Sequence, residues 1–106
     1  PMLGQHHQFH HYNPGKSDFG ENRYFKISER IYNELDERLS QSKFLAGEDY
    51  TIADIATFPW IARHEWHDIG LKKFKSLTRW YEEISKREAV QIGYDLLNNG
   101  DQIPKA

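Results

Sequence analysis

The chain of 106 residues contains no cysteine, which excludes disulfide scaffolds, catalytic thiolates and cysteine-ligated zinc sites. It also lacks the roughly 18–20 consecutive apolar residues of a membrane-spanning helix, and it has no basic-then-apolar signal segment. No excess of positive charge exists, because 14 basic residues stand against 16 acidic ones and the net charge is −2. Because basic surfaces attract phosphate backbones and this chain has no basic excess, we expect no nucleic-acid partner. Because the chain lacks a spanning helix and a signal segment, we expect no membrane partner and a cytoplasmic location.

Apolar residues are also scarce, at 38% of the chain, but many of them are large: 3 Trp, 6 Tyr and 6 Phe. Few but bulky apolar side chains are typical of a small helical domain with a thin core, or of a piece of a larger protein. The first residue is Pro1 rather than a methionine. We therefore expect residues 1–106 to be one domain excised from a longer protein.

Apolar residues recur at helical spacing and nowhere alternate as in a strand. The clearest stripe is Ile27, Ile31, Leu35 and Leu39, which predicts a helix over residues 22–40. Three further segments show helical patterns, at residues 51–62, 76–85 and 89–92. With a weaker candidate in residues 1–12, the sequence predicts an all-α fold of four to five helices.

The start of the second predicted helix carries the sharpest local signal. Thr51 and Asp54 have the spacing of a capping box. In that motif the Thr51 hydroxyl accepts a hydrogen bond from a backbone N–H of the first turn, and the Asp54 carboxylate accepts one from the Thr51 N–H. We therefore assign Thr51 and Asp54 a structural role. The residues that follow are apolar almost all round, which predicts a central buried helix with a kink at Pro59. For the third helix, Ser76 is the predicted cap.

Four of the six histidines, His6, His7, His10 and His11, lie in the first 12 residues. They form two pairs spaced four apart, as zinc ligands on a helix often are, but no Glu or Asp accompanies them. We therefore expect no metal, and a histidine-rich metal-binding protein remains an alternative. The chain shows no nucleophile turn, no phosphate loop and no converging carboxylates, so no catalytic residue is assigned.

Residues 51–56 and 58–60, with residues 44–50 before them, resemble the C-terminal helical domain of glutathione transferases. Residues 1–11, with their Gly-Gln and histidine-rich run, and residues 21–24 resemble more narrowly the bacterial Nu class. That class is related to the fungal nitrogen-regulation prion protein. The resemblance covers nearly the whole chain. It implies a glutathione transferase C-terminal-like bundle whose first helix is cut at its start and whose N-terminal thioredoxin-like domain is missing.

The resemblance also implies a function. The parent protein would bind glutathione as a cosubstrate and act as a transferase or as a glutathione-dependent disulfide reductase, on an electrophilic or disulfide small molecule. It would form a homodimer partly through residues 1–40. Because the missing domain holds the thiol-activating residues, the isolated chain is predicted to be inactive. A non-catalytic interaction domain, as in glutathione-transferase-like parts of translation factors, remains the alternative.

Individual residues receive roles from the same resemblance. Arg23 matches an arginine that contacts a glutathione carboxylate, and a guanidinium suits that task because it holds a carboxylate by two points. The remaining positions line or border the groove for the second substrate: Gln5, His6, Phe9, Trp60 and His64.

Overall fold

Helices account for all the regular secondary structure in the computed structural model, which describes all 106 residues. The α-helices are α1 (Met2–His6), α2 (Asp18–Gln41), α3 (Ile52–Ile61), α4 (His64–His67), α5 (Lys75–Ser85) and α6 (Glu88–Tyr94). A π-helical segment, His7–Tyr12, continues α1, and a 3-10 turn, Leu71–Lys73, precedes α5. The all-α prediction is confirmed. The structure has six α-helices rather than four to five, because α4 is a single turn too short to show a period.

None of these helices combines the length and the apolarity needed to cross a bilayer.

The longest helix, α2, begins four residues before its predicted start. Ser17 caps it, since its hydroxyl accepts a hydrogen bond from the Gly20 N–H at 3.0 Å. Asp18 and Glu21 add negative charge to the first turn, where the helix dipole favours it. The first apolar residue of the stripe lies well inside the helix, which is why the stripe alone places the start too late.

The core lies between α2, α3 and α5 and comprises 14 buried apolar residues. Helix α5 supplies its centre, because Leu77, Trp80, Tyr81 and Ile84 are each at most 1% exposed. Phe58 of α3 stacks on Tyr81 with ring centroids 5.1 Å apart. The other members are Leu3, Tyr32, Leu39, Phe44, Ile61, Ala62, Ile69, Leu71 and Phe74.

Helix α3 is not buried on all sides, contrary to the prediction. Ile52 is 81% exposed, Ile55 53% and Trp60 42%, whereas Phe58 and Ile61 are buried. The bundle covers only the face of α3 that is turned towards α5, so the apolar residues of its outer face stay open. An apolar pattern on every side cannot show which side the fold covers.

Helices α2 and α5 each provide a side chain that hydrogen-bonds free backbone groups at one end of the other helix. The predicted Ser76 cap is wrong: Phe74 occupies the N-cap position and provides no capping side chain. Instead Asp36 of α2 accepts a hydrogen bond from the Leu77 N–H at 2.9 Å. In return, the Arg79 guanidinium of α5 donates to backbone carbonyls at the end of α2. These carbonyls belong to Leu39, Ser42 and Lys43. Capping between two helices leaves no signal in a local sequence window.

The capping box at the start of α3 is present. The Asp54 Oδ2 accepts from the Thr51 N–H at 3.0 Å, and the Thr51 hydroxyl accepts from the Ala53 N–H at 3.3 Å. Asp54 is fully buried, and its Oδ1 accepts two further hydrogen bonds, from the Leu45 N–H at 3.1 Å and from the Trp80 indole N–H at 2.8 Å. Asp54 therefore joins the loop before α3, α3 itself and α5.

Candidate functional site

The histidine-rich N-terminal segment, residues 1–12, lies across α2 and α4. Its second half is π-helical, a conformation that is rare and occurs mostly at functional sites. Two of its histidines, His6 and His7, point inward and contact His67 of α4, and His10 stacks on His6. We call these four residues the histidine cluster. His6 and His67 are fully buried, and His7 is 8% exposed.

Hydrogen bonds connect the cluster to α2. The Tyr32 hydroxyl lies 2.5 Å from the His67 Nδ1, and the His67 Nε2 lies 2.7 Å from the His7 Nε2. With neutral rings and the hydroxyl donating to Nδ1, the His67 Nε2–H donates to His7. The His6 Nε2–H donates to the backbone carbonyl of His67 at 2.7 Å. One residue of α4 therefore contacts two consecutive histidines of the N-terminal segment.

Burial keeps these histidines neutral. It lowers the pKa of His6 and of His7, and it lowers the pKa of His67 to about 3. Positive charge on His7, His6 or His64 would lower the pKa of His67 further. His6, His7 and His67 are therefore uncharged imidazoles at neutral pH.

His10 differs because it contacts carboxylates. Its Nδ1 lies 2.6 Å from the Glu21 Oε2, and its Nε2 lies 3.4 Å from the Asp68 Oδ2. The hydrogen bond with His10 lowers the pKa of the Glu21 carboxyl, and a second one from the Gly15 N–H acts in the same direction. His10 therefore connects the π-helical segment to the first turn of α2 and to the end of α4.

Arg23, the predicted glutathione-binding residue, lies in the second turn of α2 and is exposed. It forms no ion pair with a carboxylate of this chain. Its guanidinium lies 5.9 Å from the ring of Tyr24, which stacks on Phe9 with centroids 5.5 Å apart. A Cβ on Gly20 would come within 2.8 Å of the Phe9 ring, so only glycine allows this close approach. Arg23 and Phe9 are thus brought to the same edge of the domain.

The other predicted groove residues are distributed over two sides of α4. Gln5 is exposed on α1, and Trp60 lies beside that helix, with its ring 5.9 Å from His7. His6 is fully buried beneath them, so it can border a groove but not face one. His64 packs separately, edge-on against Tyr81 at 5.5 Å. Its Nε2 is buried without a partner, and burial lowers its pKa.

An open groove of about 900 Å³ lies between α3, α4 and α6. None of the predicted groove residues lines it. Its apolar walls include Ile55, Phe58 and Trp66. Trp66 is itself held between His11, stacked at 4.0 Å, and the Arg63 guanidinium at 4.6 Å.

Sequence reasoning assigned no role to Tyr32 or to His67. Tyr32 flanks the apolar stripe of α2, so its position indicates only a core residue. The spacing of His64 and His67 on one short helix was the available signal for a second group of histidines. No group of three or more His, Asp or Glu side chains is arranged to hold a metal ion. The imidazole nitrogens of His7 and His67 bond to each other instead.

Comparison with known proteins agrees with this architecture. Residues 22–88 match the family model for the glutathione S-transferase C-terminal domain. The chain belongs to the glutathione S-transferase C-terminal domain family. This domain is 39% identical over 90 residues to the disulfide-bond oxidoreductase YfcG of Escherichia coli, across 85% of the chain. It is 37% identical over 94 residues to the disulfide-bond oxidoreductase YghU of the same organism, across 80% of the chain.

The glutathione S-transferase C-terminal domain described here spans 42% of the length of YfcG and 32% of that of YghU. The matched region includes Arg23, the capping box and the whole of α5. The family predicted from the sequence is therefore confirmed. Its narrower assignment to the Nu class stays a prediction.

Proposed function

We propose that this chain is the C-terminal helical domain of a glutathione-dependent disulfide-bond oxidoreductase or glutathione transferase. It would act together with an N-terminal thioredoxin-like domain, which would activate the thiol of glutathione. The similarity to two disulfide-bond oxidoreductases over four-fifths of the chain or more supports this role. This chain contributes no cysteine, and the family resemblance implies that the reacting thiol is that of glutathione itself.

The free guanidinium of Arg23 is the observation that carries the proposal. Glutathione presents carboxylates, and an arginine binds a carboxylate through two parallel N–H···O hydrogen bonds. Arg23 is exposed and forms no ion pair within the chain, so its donors are available. The stacked Phe9 and Tyr24 beside it leave the guanidinium at the surface. These features fit a contact with one carboxylate of glutathione, while the chemistry at sulfur would belong to the other domain.

The second substrate, an electrophilic or disulfide small molecule, would occupy a groove beside α1. Gln5, Phe9 and Trp60 would form its wall, and His6 would support the wall from beneath. Trp60 offers an aromatic surface that is 42% exposed. We retain His64 as a border residue, although it packs against Tyr81 and not against the other groove residues.

A homodimer would use the outer surface of α1 and α2. Phe19 is 79% exposed and Met2 is 38% exposed, and both lie in residues 1–40. Large apolar side chains on a surface are typical of an interface.

The isolated chain is expected to show no glutathione-dependent reduction of a small disulfide above a buffer blank, because it has no group that activates a thiol. The measurement is disulfide reduction coupled to recycling of oxidised glutathione. Joining the chain to a thioredoxin-like domain of a related oxidoreductase is expected to produce turnover. Turnover by the isolated chain, or none by the joined protein, would contradict the proposal, and the second result would favour a non-catalytic interaction domain.

Arg23→Ala in the joined protein is expected to raise the KM for glutathione by about tenfold or more, since one charge-assisted contact contributes about 1.5–3 kcal/mol. The value of kcat should change less, because Arg23 binds glutathione and does not contact the reacting sulfur. The matched control is Arg30→Ala, an exposed arginine of α2 whose only ion pair, with Glu34, is on the surface. Equal KM values for glutathione in the two variants would contradict the assignment of Arg23 as a glutathione-binding residue.

A further inference from the structure

The N-terminal segment contributes little to the apolar core, and its buried polar contacts with α4 are made by histidines. Of the 14 core residues only Leu3 belongs to residues 1–12, and the other members run from Tyr32 to Ile84. The segment contacts α2 and α4 but is not part of the packing between α2, α3 and α5. Removing it would therefore leave the core nearly complete.

We propose that the contact of His6 and His7 with His67 of α4 is a pH-operated attachment. On acidification, residues 1–12 leave α2 and α4 while the remaining helices stay folded. The basis is the arrangement of two buried imidazoles nitrogen to nitrogen, with a buried tyrosine behind them.

The contact between His7 and His67 has room for one N–H between its two Nε2 atoms. In the neutral arrangement His67 donates that hydrogen and uses its Nδ1 to accept from Tyr32. A proton added to the His67 Nδ1 forces the Tyr32 hydroxyl to accept, so its own hydrogen loses its partner. A further proton on the His7 Nε2 places two N–H groups against each other across 2.7 Å. That doubly protonated state requires the rings to separate.

No carboxylate compensates charge at this contact. The neighbours of His7 and His67 on their own and adjoining elements are His6, His11, His64 and Arg63, and charge on each would lower the pKa of one or both. Tyr32 of α2 faces His67 and carries no charge, because burial raises its pKa. The two nearby carboxylates, Glu21 and Asp68, instead contact His10.

The direction of the pH effect follows from these pKa values. His6, His7 and His67 have pKa values below 6.5 while the segment is attached, and the released histidines return towards that ordinary value. The released state therefore binds more protons. Attachment is fully favoured above about pH 6.5 and weakens as the pH falls towards the lowered values.

The consequence for ligands rests on the proposed function. Gln5 and Phe9 lie on the releasable segment, and Trp60 packs against Gly4 of the same segment. Release would dismantle the second-substrate groove and remove Phe9 from Tyr24 beside Arg23. The oxidoreductase would lose its groove in acid without unfolding.

The test follows backbone amides of the isolated chain by NMR and hydrogen exchange from about pH 7.5 to about pH 4, without any ligand. We expect the amides of residues 1–12 to lose protection first, while those of Leu77–Ile84 remain protected. The steepness of release against pH reports the protons taken up, and we expect up to about three in the natural sequence, one for each of His6, His7 and His67. His67→Gln removes one titrating ring, so its release should take up about one proton fewer.

His7→Gln should have the same effect on steepness and serves as the second variant if His67→Gln does not fold. His11→Gln is the matched control, because His11 is an exposed histidine of the same segment that stacks on Trp66 and forms no hydrogen bond with His7 or His67. Loss of protection at one common pH throughout the chain would overturn the proposal. So would unchanged steepness in both glutamine variants, or an equal loss of steepness in His11→Gln. Because no glutathione is present, these results are independent of the proposed function.

Discussion

Asp54→Ala is expected to lower the free energy of unfolding by about 4 kcal/mol, because three backbone or indole N–H donors lose their acceptor at once and each unsatisfied donor costs about 1–3 kcal/mol. Those donors are the N–H groups of Thr51, Leu45 and Trp80, and the carboxylate that serves them is fully buried. Domains of this size are stable by only about 5–15 kcal/mol, so the variant should lose between about a quarter and four-fifths of its stability. Urea denaturation followed by circular dichroism measures the loss.

Two variants separate the buried network from the cap alone. Thr51→Ala removes one side-chain acceptor at the helix start and should cost about 1 kcal/mol. Asp49→Ala changes an exposed acidic residue of the preceding loop and should alter stability by less than about 0.5 kcal/mol. If Asp54→Ala costs no more than Thr51→Ala, the bonds from Asp54 to Leu45 and Trp80 contribute nothing to stability.

Tyr32→Ala is expected to cost about 4 kcal/mol, in the range of about 3–5 kcal/mol found when a buried aromatic ring is removed. Tyr32 is fully buried, and its ring packs edge-on against Phe74 at 5.5 Å and against His67 at 5.6 Å. The cavity would open between the core and the histidine cluster. The same urea titration at about pH 7.5 applies, a pH at which the histidines are neutral.

Tyr32→Phe divides this effect into ring and hydroxyl. It keeps the ring and removes only the hydrogen bond to the His67 Nδ1, so it should cost about 1 kcal/mol. A loss in Tyr32→Phe as large as that in Tyr32→Ala would mean that the hydroxyl, and not the packing, holds this part of the domain together.

Patterns within one helix were sufficient for most of the fold. The four-residue recurrence from Ile27 to Leu39 predicts α2, and the spacing of Thr51 and Asp54 predicts the start of α3, because both depend on contacts within one or two turns. The family resemblance rests on the same local segments and is confirmed by the match over residues 22–88.

Features that join distant parts of the chain could not be predicted in this way. Asp36 caps α5 from α2, 41 positions away in sequence, and the local window pointed to Ser76 instead. The exposure of Ile52 and Ile55 depends on which face of α3 the bundle covers. Among the predicted site residues, His6 proved to be buried and His64 to lie apart, since burial is decided by the neighbours and not by residue type.

The sequence by itself determined that this domain is helical, where its two best-marked helices run, and that these 106 residues supply no thiol of their own, because these properties follow from local spacing and composition. Only the tertiary structure decided what the histidines do. Their spacing left a metal-binding protein as an alternative to a polar helix face, and it could not show that His7 and His67, 60 positions apart in sequence, meet at 2.7 Å with Tyr32 behind them. A hydrogen bond between residues so far apart in sequence depends on how the N-terminal segment, α2 and α4 pack together. Burial where they meet lowers the pKa of the His7 and His67 imidazoles.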